Sequence, residues 1–270
     1  MPRLDQKIKW FINEKYNLLF KFRHVSKLRE LKDTCHAKSI FLVGNGPSIT
    51  YQNINFLHNN EVDFATVNCG YRIFTNSRPT YHFVADQERF NKFRQEILSC
   101  QAKKLFIREG FDTNGLSKSS LSNIYQVPYR SGGLSKRGYK SDISLGLGND
   151  SNVLLFATQV LIYMGYKKIY IIGCDLSYNE KEKYAYEMTN KDLEHEDNLI
   201  TQAKRINMIA GDLEFKLLQN SVSENGIKLF NAGHGGNLKS LQRIPLEKAY
   251  MKSTMTLMDA KHSSAQQILK

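Results

Sequence analysis

Short apolar runs, each ending at glycine or a polar or charged residue, punctuate the chain: Lys38–Gly44 (KSIFLVG), Asp63–Asn68 (DFATVN), Tyr81–Asp86 (YHFVAD), Lys104–Arg108 (KLFIR) and Lys168–Gly173 (KIYIIG). A last run, Ile227–Phe230 (IKLF), leads into Asn231. Runs this short and this unbroken in Ile, Val and Phe suit strands covered on both faces, which is the habit of parallel sheets. Between them lie stretches of helical period. Ser151–Met164 is one, closed by Gly165, and Leu199–Asn220 is another, with Gly226 ending its tail. Alternation of this kind predicts a Rossmann-like α/β fold, a parallel sheet with helices on both faces. Such sheets take ligands beyond the carboxyl ends of their strands, near the point where the winding reverses. The polar residues at those ends, Asn45, Asn68, Asp86, Asp175 and Asn231, are therefore where chemistry is expected.

The 270 residues are 41% hydrophobic and 11% aromatic, enough for the core of one large domain. That domain is expected over 35–247. Polar stretches at Ser131–Asp150 and at about 178–198 read as loops or lids, and 248–270 reads as a polar tail. Residues 1–34 form a basic amphipathic segment in which Trp10, Phe11, Leu18 and Phe22 interleave with Lys and Arg. It suits either packing on the core or peripheral contact with an anionic membrane.

Lys and Arg number 38 against 26 Asp and Glu, for a net charge of +12. The excess points to an anionic partner, but no RGG run, zinc-finger spacing or RNP-like motif accompanies it, so no nucleic-acid partner is predicted. Cys35, Cys69, Cys100 and Cys174 form no CxxC pair and fit a reducing compartment. With no signal-peptide pattern and no membrane-spanning run, a cytoplasmic location is expected.

Gly44-Asn45-Gly46-Pro47-Ser48 follows the first strand directly. Its glycines let the backbone approach a ligand, and Pro47-Ser48 suits a helix start whose free N–H groups face a phosphate. The loop is neither a Walker A motif nor a GxGxxG fingerprint, and an ordinary tight turn is the plain alternative. Ser151-Asn152 opens a helix and can cap it or face an anion. Gly173 and Asp175 follow the strongest strand, where the carboxylate can accept from a hydroxyl, bind a metal or cap a turn. Transfer to a hydroxyl needs a base, for which His195 and His234 are the candidates. His36, His58 and His82 lie in or beside structural segments.

The order strand–GNGPS, strand–Asn68, strand–Asp86, Ser151-Asn152, MGYKKIYIIGCDLSY and then a tyrosine-rich lid resembles the bacterial sialyltransferases of glycosyltransferase family 42. It is also similar to the DUF115 (MptE-like) proteins of polysaccharide clusters. The resemblance spans roughly 38–236. It implies the GT-A-like sialyltransferase variant of the fold and an inverting glycosyltransferase. The donor would be a CMP-activated sugar, sialic-acid-like or another ulosonic or nonulosonic acid, with no cofactor or metal. The acceptor would be a glycan or lipid-linked species in capsule or lipopolysaccharide biosynthesis at the inner face of a bacterial membrane, and a homo-oligomer is implied. The likeness places Asn45, Ser48, Asn68, Asp86 and Ser151 on the nucleotide, and with Gly44, Gly46, Pro47, Asn152, Gly173 and Asp175 from the loop, helix-start and strand-end readings they make up the expected nucleotide site. Tyr178 and Tyr184 steady the leaving phosphate, and His195, failing that His234, is the base. Asp86 stands where family 42 has an asparagine, and Asp150-Ser151-Asn152 keeps only the serine of its Thr-Ser-Gly. The MptE-like side implies a Mg²⁺-dependent diphosphokinase instead, with Asp86 and Asp175 on the metal. A nucleotide-binding relic without catalysis is the third reading.

Overall fold

The computed structural model describes residues 24–35, 38–130, 134, 138–148, 152–177, 184–197 and 201–255, with only the backbone described at 194–197 and 201–209. The strands are β1 (Ser39–Val43), β2 (Phe64–Val67), β3 (Tyr81–Val84), β4 (Lys104–Arg108), β5 (Ile124–Val127), β6 (Tyr129–Arg130), β7 (Leu147–Gly148), β8 (Lys168–Ile172), β9 (Lys228–Asn231) and β10 (Gln242–Arg243). Eight of them form one sheet in the order β10-β9-β8-β1-β2-β3-β4-β5. Every pairing in it is parallel, and β6 and β7 make a separate parallel pair.

The strands are buried on both sides because their residues alternate between two apolar layers. Ile40, Leu42, Ala65, Val67, Phe83, Phe106, Ile169 and Ile171 share one cluster with the helix Val153–Tyr163. That helix is buried from Leu154 through Tyr163, which explains why its sequence is apolar all round. On the opposite face, Phe41, Val43, Phe64, Tyr170 and Ile172 pack with Ile49, Phe56 and Leu57. Further along that face, Val84, Leu105 and Ile107 pack with Phe90, Phe93 and Ile97. The sheet is thus the α/β, Rossmann-like arrangement that the alternation predicts.

From β1 the chain winds outward through β2, β3 and β4 to β5. It then returns to β8 on the other side of β1 and continues to β9 and β10. The winding reverses between β1 and β8, which is where doubly wound sheets ordinarily take their ligands.

The chain departs from the sequence reading in three places. Residues 246–255 are helical, with Ala249 and Ser253 buried and Ser253 Oγ 2.8 Å from Ser39 Oγ, so this part of the expected tail belongs to the fold. Its inner face combines Leu246 and Ala249 with the polar Ser253, too few large apolar residues to stand out as a helical period. Leu28 and Leu31 are core residues, and Asp33 and Cys35 donate backbone N–H bonds to Tyr163 and Met164 carbonyls at 3.1 and 2.7 Å. The end of the basic segment therefore caps the central helix. Within the expected loop 131–150, Ile143 and Leu147 are buried, and β7 pairs with β6. No helix among the described residues is long and apolar enough to cross a membrane.

Candidate functional site

The loop after β1 and the loop after β8 run against each other at the switch point. Gly44 N–H donates to Ile172 O at 2.8 Å, and Gly46 N–H to Gly173 O at 2.9 Å. A Cβ on Gly46 would stand 2.5 Å from Asp175 Cγ, so any larger residue there has to push the Asp175 carboxylate aside. Gly173 takes φ +63°, a left-handed conformation suited to glycine. Pro47–Tyr51 is a 3-10 turn with Pro47 in its first position.

The acidic partner of this loop is internal. Ser48 N–H donates to Asp175 Oδ2 at 3.0 Å, and the Ser48 hydroxyl donates to Asp175 Oδ1. The amide that the sequence reading reserved for a phosphate is thus occupied by a carboxylate that arrives 127 residues later. Cys174 beside it is buried, which pushes its thiol well above the usual range, with Asp175 adding to the effect. A thiolate nucleophile is accordingly disfavoured there.

Asn45 turns its side chain toward the loop after β2. A Cβ on Gly70 would lie 2.6 Å from Asn45 Oδ1, and that oxygen is buried without a hydrogen-bond partner among the described residues. Asn68, directly after β2, takes φ 51°, which asparagine tolerates, and its Oδ1 is likewise buried and unpartnered. Beneath it, His82 Nδ1 lies 2.7 Å from Thr66 Oγ1. Burial pushes the His82 imidazole down to about 4, opposed by a backbone hydrogen bond with Asn68. His82 is therefore a neutral core group, as its strand position suggests.

Asn68, Asp86 and Asn152 come together in an open cleft of about 560 Å³, lined also by Gln87, Glu88, Arg108, Tyr129 and Phe156. Asp86 caps the helix Gln87–Lys92, accepting from Arg89 N–H at 3.0 Å. Asn152 caps the helix Val153–Tyr163, its Oδ1 accepting from Leu155 N–H at 3.1 Å, while its Nδ2 is buried with no partner among the described residues. Both capping roles follow the ordinary preference of Asp and Asn at helix starts. The cleft thus sits where three strand ends and one helix start converge.

The part of the expected lid that is described, 184–197, is anchored to the same rim. Ala185 N–H donates to Asn45 O at 2.9 Å. Tyr184 and Tyr186 stack with ring centroids 5.1 Å apart, and the Arg89 guanidinium lies 5.9 Å from the Tyr184 ring. Asp192, fully buried in the helix Asn190–Asp197, accepts from Thr189 N–H at 2.8 Å, Thr189 Oγ1 at 2.6 Å and Arg72 Nη1 at 2.6 Å. Arg72 also donates to Glu96 at 2.8 Å, and Arg89 Nη1 stands 3.9 Å from Asp192. His195 belongs to this helix, and its side chain lies outside the described ones. Ser151 and Tyr178 also lie outside the described residues.

His234 occupies the Gly-rich loop after β9, exposed, its ring 5.9 Å from that of Tyr51. Arg243 fastens this loop by donating to Gly233 O at 2.7 Å and Gly235 O at 2.6 Å. The loop borders the switch point, but His234 does not line the cleft that holds Asn68 and Asp86. Asn231, another strand-end residue, is committed to shaping its own loop, donating to Leu238 O at 2.7 Å and accepting from Gly233 N–H at 2.9 Å. Asp86 caps its own helix and Asp175 is taken up by Ser48, and among the described residues no group of three His, Cys, Asp or Glu side chains is gathered to hold a metal ion.

The sequence reading missed Arg108, Tyr129, Gln87 and Glu88. Arg108 carried a usable signal, since it ends a strand as Asn68 and Asp86 nearly do. The Arg72–Asp192 pair carried none, because only the fold brings those positions together.

No protein-family model matches this sequence, and no curated protein sequence does. Among solved structures, the MAf glycosyltransferase from Magnetospirillum magneticum AMB-1 is similar with a TM-score of 0.49 and 14% identity, over 84% of this chain and 38% of that one. A substituted form of the sialyltransferase CST-II in complex with CMP is similar with a TM-score of 0.36 and 17% identity, over 80% of this chain and 98% of that one. The chain thus spans well under half the length of the MAf protein.

Proposed function

We propose that this chain is an inverting glycosyltransferase that draws on a CMP-activated sugar, of the sialic-acid-like or wider ulosonic and nonulosonic kind, for glycan or lipid-linked acceptors of a bacterial surface polysaccharide. The observation that carries the reading is the cleft itself. Asn68, Asp86 and Asn152 line one opening at the carboxyl ends of parallel strands, and the loop after β2, which begins with Asn68, meets the GNGPS loop where Gly70 faces Asn45. That is the location and the donor–acceptor chemistry a nucleotide needs. The unpartnered buried amide atoms of Asn45, Asn68 and Asn152 support it, since a ligand supplies what the fold leaves unpaired.

In this reading the acceptor hydroxyl attacks the anomeric carbon as the bond from that carbon to the CMP phosphate oxygen breaks. The hydroxyl proton passes to an imidazole, and CMP departs with the electron pair. Tyr184, and Tyr178 with it, would donate to the phosphate as its charge grows. His195 is the first choice for base and His234 the second. A membrane-facing role for the N-terminal segment belongs to the same proposal, since lipid-linked acceptors are found there.

The test is nucleotide-dependent stabilisation. CMP is expected to raise the melting temperature in the presence of EDTA. Stabilisation by ATP only with Mg²⁺ would instead favour diphosphate transfer, and no response to any nucleotide would sink the donor reading. His195→Ala is expected to abolish transfer with CMP affinity retained; near-normal turnover moves the base to His234.

A further inference from the structure

We propose that Arg108 is the residue through which the cleft binds an oxyanion of its substrate, a phosphate or a sugar carboxylate; the naming of those two sources rests on the donor reading above.

Arg108 ends β4 and is half-buried at the wall of the cleft. Its guanidinium carbon lies 3.8 Å from the centroid of the Tyr129 ring, and its Nη1 donates to Ala85 O at 3.1 Å. Both contacts are with uncharged groups. They fix the plane of the guanidinium and use one of its five N–H donors. Among the described residues Arg108 makes no ion pair.

The contrast with two other arginines nearby is informative. Arg72 is matched by Asp192 at 2.6 Å and Glu96 at 2.8 Å, and Arg89 faces Asp192 at 3.9 Å. The fold supplies those cations with carboxylates and leaves Arg108 to whatever enters the cleft. A guanidinium held flat on an aromatic face offers its free edge as a fork that fits a planar or tetrahedral oxyanion with two parallel bonds. Asn152, lining the same cleft, adds a buried donor, its Nδ2, that has no acceptor among the described residues. Two donors of this kind call for the same complement. Asp86 and Glu88 also line the cleft, so the attraction is confined to the Arg108 edge rather than spread as a general positive field.

Calorimetric titration of the wild-type chain, Arg108→Gln and Arg108→Lys tests this with cytidine, CMP, CMP-N-acetylneuraminate, free N-acetylneuraminate and inorganic pyrophosphate. Arg108→Gln is expected to weaken the ligands that carry the bound anion tenfold or more and to leave cytidine unchanged. Arg108→Lys keeps the charge and loses the fork, so it restores only part of the affinity. If CMP weakens together with CMP-N-acetylneuraminate, the anion is the phosphate. If CMP is unaffected and only the sugar-bearing ligands weaken, it is the carboxylate. Tyr129→Leu, which removes the platform and leaves the cation, should weaken the same ligands by a smaller factor. Undiminished affinity of Arg108→Gln for every anionic ligand overturns the proposal, and so does an equal loss for cytidine. Should no cytidine ligand bind the wild-type chain while pyrophosphate or N-acetylneuraminate binds in an Arg108-dependent way, the donor reading falls and the oxyanion site stands. If none of the probes binds, both fall.

Discussion

Replacing Asp192 by alanine removes the one carboxylate that both Thr189 and Arg72 depend on. Its side chain is wholly buried and accepts from Arg72 at 2.6 Å. Deleting one partner of a buried ion pair costs about 3–5 kcal/mol, because the other charge is left unmatched. Arg72 keeps Glu96 at 2.8 Å, and Glu96 is 44% exposed, so the lower end of that range applies, ~3 kcal/mol. The bond from Thr189 N–H to Asp192 is half of a capping box, and its loss adds about 1 kcal/mol. The sum, ~4 kcal/mol, corresponds to a fall of roughly 8–16 °C in melting temperature for a domain of this size. Urea unfolding of Asp192→Ala, Arg72→Met and the double variant should give a coupling energy above about 1 kcal/mol, with cleavage near 184–197 accelerated in limited proteolysis. The effect also has a pH signature. Burial alone would raise the Asp192 carboxyl, but the Thr189 and Arg72 hydrogen bonds outweigh it and hold the group below the usual range. A carboxyl depressed in the folded state contributes stability above its unfolded value, about 3.9, and loses it as the pH falls further toward the folded value. Wild type and Asp192→Ala should therefore converge in acid. Additive single effects, or a melting temperature within about 2 °C of wild type, would refute the reasoning.

His82, neutral with its value pushed down to about 4 against an unfolded value of about 6.5, should cost the wild type up to ~3 kcal/mol as pH drops from about 6.5 to 4. His82→Gln should flatten that part of a stability–pH curve measured by urea titration, and an unchanged slope would exclude His82 as its source. In Gly46→Ala the new Cβ has to displace the Asp175 carboxylate from Ser48, for a loss of about 1–3 kcal/mol and a tenfold or greater loss of CMP affinity by calorimetry. Retained affinity would reduce the loop to a structural turn. Because Leu28 and Leu31 are core residues, the membrane question is best put by deleting 1–23 alone. That deletion is expected to lower co-sedimentation with anionic vesicles at unchanged melting temperature, and equal co-sedimentation would assign the segment to packing.

The central fold is legible in the sequence because doubly covered parallel strands have to be short, continuous and apolar. KLFIR coincides with β4, and KSIFLVG and KIYIIG overrun β1 and β8 only by Lys38, Gly44 and Gly173. The helix 246–255 is not legible, because Ala249 and Ser253 permit close approach by being small rather than by being apolar. The GNGPS loop is legible as a site of close backbone approach, but its partner is not. Nothing local to Ser48 announces that Asp175 will take its amide. Arg108 illustrates a different failure: it ends a strand, so the rule that selects Asn68 and Asp86 covers it equally.

The placement of β8 has a consequence for how the protein acquires its ligand site. The chain makes β1 to β5 in order, each beside its predecessor, whereas β8 inserts against the open side of β1, pairing Ser39 with Lys168. Until it does, β1 is a bare apolar edge of the kind that recruits other chains. The paired loops of the switch point, the Asp175 latch on Ser48 and the Ala185 bond to Asn45 all wait for that one insertion. Contacts so distant along the chain form late and slowly. The GNGPS side of the proposed site is thus a property of the whole sheet and not of its first half. A nucleotide that binds there draws late intermediates forward by mass action, so its presence during refolding should raise the yield of the native protein.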